Sequence, residues 1–143
     1  MVDKLEITVE IIAHATEDVG KILDSFFEIF KIPKEEFETQ NLTGHFDNPI
    51  TLLRIKIKKK EAKSFLHRLV SKIPKEEFQV LIEDIENRLQ NSTLHLRFGK
   101  QDMIRGKMIQ EEKDAVKLKI VSPSYNKKDT VRNYVSLLTG KSK

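Results

Sequence analysis

Residues 94–101 read LHLRFGKQ. Leu94, Leu96 and Phe98 alternate with His95 and Arg97, the period of two expected of a strand that buries one face and wets the other. The imidazole and guanidinium of the wet face are either solvated or aimed at something anionic. The same alternation recurs. Leu5, Ile7, Val9 and Ile11 alternate with Lys4, Glu6, Thr8 and Glu10. In ITLLRIKIKKK (50–60), Leu53, Ile55 and Ile57 oppose Arg54, Lys56 and Lys58; in DAVKLKIV (114–121), Val116, Leu118 and Ile120 oppose Lys117 and Lys119. A further strand is expected around Glu38–Leu42, joined to the next by TGHFDNPI (43–50), whose Gly, Asp, Asn and Pro are turn residues.

Between the strands the apolar period lengthens to that of helices. Val19, Ile22, Leu23, Phe26, Phe27 and Phe30 form one stripe, with Thr16 as expected cap and Glu17 and Asp18 in the first turn. Ala62, Phe65, Leu66, Leu69, Val70 and Ile73 form a second. Phe78, Leu81, Ile82, Ile85 and Leu89 form a third, after Pro74, and Val131, Tyr134, Val135 and Leu138 a last. QDMIRGKM (101–108) reads as an irregular or short helical link. KIPKEEF occurs twice, at 31–37 and 72–78, but the flanks reject a duplication: a shift of 41 residues lays the first helix's apolar stripe on Lys63, Ser64, His67, Arg68 and Ser71. The expectation is a single domain over 1–143, of α+β class: a two-layer, largely antiparallel sheet with helices on one face and an open basic face.

Composition narrows the chemistry. The chain has no cysteine, which excludes disulfides, thiolate metal sites and cysteine nucleophiles. The opening residues hold neither a signal-peptide core nor a membrane-spanning run, so a cytoplasmic protein is expected. The formal net charge is only +4, but it is segregated. Six bases stand against one Glu from Arg54 to Lys63, and four against Asp102 from Arg97 to Lys107. Acid gathers in KEEFE (34–38) and KEEFQVLIEDIE (75–86). A signed surface of this kind favours nucleic acid.

Three strands present bases outward: Arg54, Lys56 and Lys58; His95 and Arg97; Lys117 and Lys119. On a solvated sheet, Glu6 and Glu10 would neutralise neighbours by cross-strand pairing. On a binding surface the same cations displace counterions from phosphates. Few aromatics are placed for base stacking, with only Phe46 and Tyr125 in loops, so the shape and backbone of duplex RNA fit better than single strands. A basic face docking an acidic protein is one alternative. A metal-dependent hydrolase using His14, His45 and His95 is another, but no two histidines lie three to five residues apart. No phosphate-binding loop or nucleophile elbow is present, and neither cofactor nor metal is expected.

Taken together, AHATED (13–18), GHFDNPI (44–50) and LRFGKQ (96–101) resemble an archaeal RNA-binding family of predicted exosome-associated proteins, in order and spacing over roughly residues 5–122. The resemblance implies an α+β fold similar to double-stranded-RNA-binding domains or to the ribosomal protein that contacts 5S RNA, with binding as its activity and an RNA-processing complex as its setting. It also implies roles for His14, His45, Asn48, Arg97, Lys100 and Gln101. Asp47 stands where the pattern usually has Gly, placing a Cβ where the turn favours positive φ. Gly99 stands where it usually has Asp, removing a carboxylate that would anchor Lys100 or Arg97. The combined expectation makes Arg54, Lys56, Lys58, Arg97 and Lys100 phosphate contacts. His45, Asn48, His95 and Gln101 become hydrogen-bond donors to sugar or phosphate.

Overall fold

A computed structural model describes residues 4–44, 47–122 and 127–140, the side chains of Lys127 and Lys128 excepted. Six strands form one antiparallel sheet: β1 (Glu6–His14), β2 (Glu38–Thr43), β3 (Pro49–Lys58), β4 (Leu89–Gln90), β5 (Thr93–Gly99) and β6 (Ala115–Val121). Their spatial order is β2-β3-β1-β6-β5-β4. Five helices accompany them: α1 (Val19–Phe30), α2 (Lys59–Lys72), α3 (Lys75–Glu83), the short α4 (Lys100–Ile104) and α5 (Lys127–Thr139). The expected α+β class and antiparallel sheet are observed. None of the described helices is long and apolar enough to cross a membrane.

Alternation decides the layering. Ile7, Val9 and Ile11 of β1, Leu53, Ile55 and Ile57 of β3, Val116, Leu118 and Ile120 of β6, and Leu94, Leu96 and Phe98 of β5 are all buried on one side. The helices cover that side. Phe26, Phe30, Phe37 and Phe65 form its aromatic centre, with the rings of Phe30 and Phe65 stacked at 4.1 Å. Because register sets side as well as partner, the residues between these apolar ones emerge together on the opposite face.

Three local expectations are corrected. The cap of α1 is Asp18, whose carboxylate accepts from the Lys21 N–H at 3.1 Å, and not Thr16; the helix starts at Val19, so Glu17 lies ahead of it. Phe27, placed in the apolar stripe, is 44% exposed, and Ile29 is buried instead. Ile85 and Leu89 fall beyond α3: Ile85 opens a 3-10 turn and Leu89 begins β4. The two KIPKEEF copies also diverge, the first giving only a 3-10 turn at Lys34–Glu36 and the second opening α3. Asp47 does take the left-handed backbone, with φ +59°.

The last helix is tied to the sheet by one phenol. The buried Tyr134 Oη accepts from the Ser122 N–H at 3.0 Å and lies 2.7 Å from the Ile120 carbonyl and 2.5 Å from that of Ser92. Burial pushes its pKa up, against the opposing pull of the Ser122 hydrogen bond. Tyr134→Phe strands the Ser122 N–H inside the protein, and such a loss costs about 2 kcal/mol. A denaturation midpoint equal to that of the wild type would contradict this role.

Candidate nucleic-acid interface

The open face is best read along its cross-strand rows. Glu38, Arg54, Glu10, Lys117 and Arg97 line up from β2 to β5, and the next row runs Lys56, Thr8, Lys119 and His95. Lys58 and Glu6 begin the third. Farther toward the other end the outward residues turn apolar, with Leu52 beside Ile12 and Leu42 beside Ile50. Basic character is therefore confined to one part of the face.

Within it the cations are not equivalent. Arg54 pairs with Glu10 at 3.4 Å and Lys56 with Glu6 at 3.6 Å, the cross-strand neutralisation expected of a solvated sheet. Arg97 lies 3.3 Å from the Glu112 carbonyl and 4.0 Å from its carboxylate. Lys58, Lys117 and Lys119 have no ion-pair partner among the described residues. Lys117, Lys119, His95 and Arg97 surround a shallow depression of about 340 Å³ that also takes in Thr8 and Glu10. Burial, reinforced by the Lys119 ammonium and the Arg97 guanidinium, pulls the His95 pKa below its ordinary value. The imidazole thus sits beside two cations in a partly buried position.

Lys100 requires a correction. It is 1% exposed, and its ammonium donates to the Ile12 carbonyl at 2.6 Å, Glu17 Oε1 at 2.7 Å and Asp114 Oδ1 at 2.8 Å. All three donors are used, so it has none for a phosphate. Sequence parity carried the signal, because Lys100 continues the inward series Leu94, Leu96, Phe98. Asp114, at φ +53°, had no signal in spacing. Gly99 is also explained. A Cβ there would lie 2.3 Å from Asp102 Oδ2, so any side chain at this position requires the Asp102 carboxylate to move, and Glu17 and Asp114 already anchor Lys100.

The three motif segments thus meet at one end of the sheet. Gln101 Nε2 donates to Glu17 Oε2 at 3.3 Å, the His14 N–H donates to Glu17 Oε1 at 2.8 Å, and His14 Nε2 lies 3.7 Å from Asp114. Opposite His14 in β3 is Ile50, two residues after the exposed Asn48, whose carbonyl accepts from the Gly44 N–H at 2.7 Å. His45, with Phe46 and Tyr125, lies outside the described residues. The metal reading gains no centre from this arrangement. His14, Glu17 and Asp114 do bring ligand atoms within 4.8 Å of one another, but the Lys100 ammonium already bonds to both carboxylates. His95 belongs to a different site, faced by cations.

A family model described as RNA binding matches residues 6–122. The chain belongs to this RNA-binding family. An RNA-binding protein of Pyrococcus abyssi is 32% identical over 114 residues, covering 75% of this chain and 74% of that one. An uncharacterized protein of Methanocaldococcus jannaschii is 29% identical over 140 residues, covering 87% and 91%. The solved structure of Mth689, a DUF54 protein from Methanothermobacter thermautotrophicus, matches with a TM-score of 0.75 at 27% identity, over 93% of this chain and 96% of that one. The likeness extends over nearly the whole of both chains.

The two kinds of cation in this family member separate by mutation. Lys100→Met leaves Glu17 and Asp114 uncompensated and should destabilise by about 3 kcal/mol or more, as breaking a buried pair does. Arg97→Gln, at an exposed position, should cost within about 0.5 kcal/mol. Equal denaturation midpoints for the two variants would refute the structural role of Lys100.

Proposed function

We propose that the chain holds structured or double-stranded RNA through its open sheet face, reading backbone and shape without catalysis. The observation that carries this reading is the β5–β6 half of the face. There Lys117 and Lys119 stand without carboxylate partners beside Arg97 and a neutral His95. Arg54 and Lys56 form its flank, and Lys58 its outer end. Cations spaced along strands suit phosphates, which need point charges and donors but no complementary edge.

Duplex geometry is favoured by what the face lacks. Among the described residues, no Phe or Tyr emerges on it: Phe98 and Tyr134 are buried, and the remaining rings belong to the helix side. Among the described residues, unpaired bases find no platform on this face on which to stack. Asn48, Gln101 and His14 are exposed at the motif end, which supports reading them as supplementary donors to sugar or phosphate. An accessory role in RNA processing or degradation, as in an exosome-associated protein, is supported by the family resemblance.

The test is a salt titration of binding. Lys117→Gln with Lys119→Gln should weaken duplex RNA binding and lower the slope of log affinity against log salt by nearly two units, at roughly 0.9 per phosphate contact. Lys34→Gln with Lys75→Gln removes the same charge from the acidic segments and should change the slope little. Wild-type protein should prefer duplex to single-stranded RNA of equal length. Equal losses in the two double variants, or a preference for single strands, would overturn the proposal.

A further inference from the structure

The basic character of β3 does not stop at the sheet. Its last outward residues, Lys56 and Lys58, run directly into α2, with Lys59 at φ +58° making the corner in place of a loop. The Lys59 N–H is held by the Leu5 carbonyl at 3.0 Å, which fixes the direction in which the helix leaves. Ala62, Phe65, Leu66 and Leu69 bury one side of α2 against the core. Lys60, Lys63 and His67 project from the other, away from the sheet. With Lys58, Lys59 and Arg68 they line a broad open groove of about 1250 Å³, in which Glu61 is the acid among the lining residues. None of these bases has an ion-pair partner among the described residues.

Stability does not select this arrangement. Lysines in the first turn of a helix oppose its dipole, which favours carboxylates there, and several like charges on one face repel. A polyanion reverses both penalties. The groove begins at Lys58, the outer end of the open face, and continues along the side of α2 turned away from the core, so one straight duplex cannot follow both α2 and the β5–β6 half of the face. We infer that the outer face of α2 is a second phosphate-binding surface, and that the protein holds two RNA helical segments at once: one on the β5–β6 face, the other along α2.

This rests on the proposed RNA binding, and binding stoichiometry separates the two ideas. Native mass spectrometry with a blunt RNA duplex of about one helical turn, too short to reach around the molecule, should find two duplexes on the wild-type chain. Lys60→Gln with Lys63→Gln, and Lys117→Gln with Lys119→Gln, should each leave one. The four substitutions together should leave none. All four side chains are exposed, so the variants retain the fold. Two duplexes retained by the α2 variant would overturn the second surface. One duplex on the wild type, lost only with Lys117 and Lys119, would overturn it and keep the sheet-face site. One lost only with Lys60 and Lys63 would overturn the sheet-face reading and the two-segment arrangement together. No duplex bound by the wild type would refute both.

Discussion

Every outward cation of the sheet except Lys58, which ends β3, is fixed by the buried residues on either side of it. Lys117 and Lys119 bracket Leu118, and their outer neighbours Val116 and Ile120 are buried as well. Neither lysine can turn inward without dragging three apolar side chains into water, at about 1.5–3 kcal/mol each. The same holds for Arg97 between Leu96 and Phe98, and for His95 between Leu94 and Leu96. Hydrophobic burial therefore sets the geometry of a surface whose chemistry is electrostatic. The charges themselves contribute little to stability.

This explains what was legible in the sequence and what was not. Alternation along four strands identified the inward and outward sets residue by residue, and the helical stripes located α1, α2 and α5. Periodicity failed where a long-range contact decided the outcome. Lys100 has a surface residue's chemistry but an inward parity, and its burial depends on Glu17 and Asp114, distant in sequence. Ile85 and Leu89 continue a helical stripe into a 3-10 turn and a strand. Thr16 and Asp18 are both competent caps, and only the backbone at Val19 chooses between them. The pairing of Arg54 with Glu10 and Lys56 with Glu6 depends on register, which leaves Lys117 and Lys119 on β6 as cations without an ion-pair partner among the described residues.

The motif end and the basic face therefore do different work. Lys100 knots β1, the turn before α1 and the segment before β6 into one junction, in which the exposed His14 and Gln101 share Glu17 with it. The cations of the face are held by the sheet instead and stay available to a ligand.

The central claim is that an anion settles against Lys117, Lys119, Arg97 and His95, and His95 is a probe already in place. In the free protein burial and the two neighbouring cations hold its pKa below the ordinary value of 6.5. Phosphates beside it favour the imidazolium, so by linkage its pKa must rise on binding, and affinity must increase as pH falls through that range. The decisive measurement is an NMR titration of the His95 ring with and without saturating duplex RNA. The account predicts a clear upward shift in the complex. An unchanged His95 pKa under saturating RNA would contradict it.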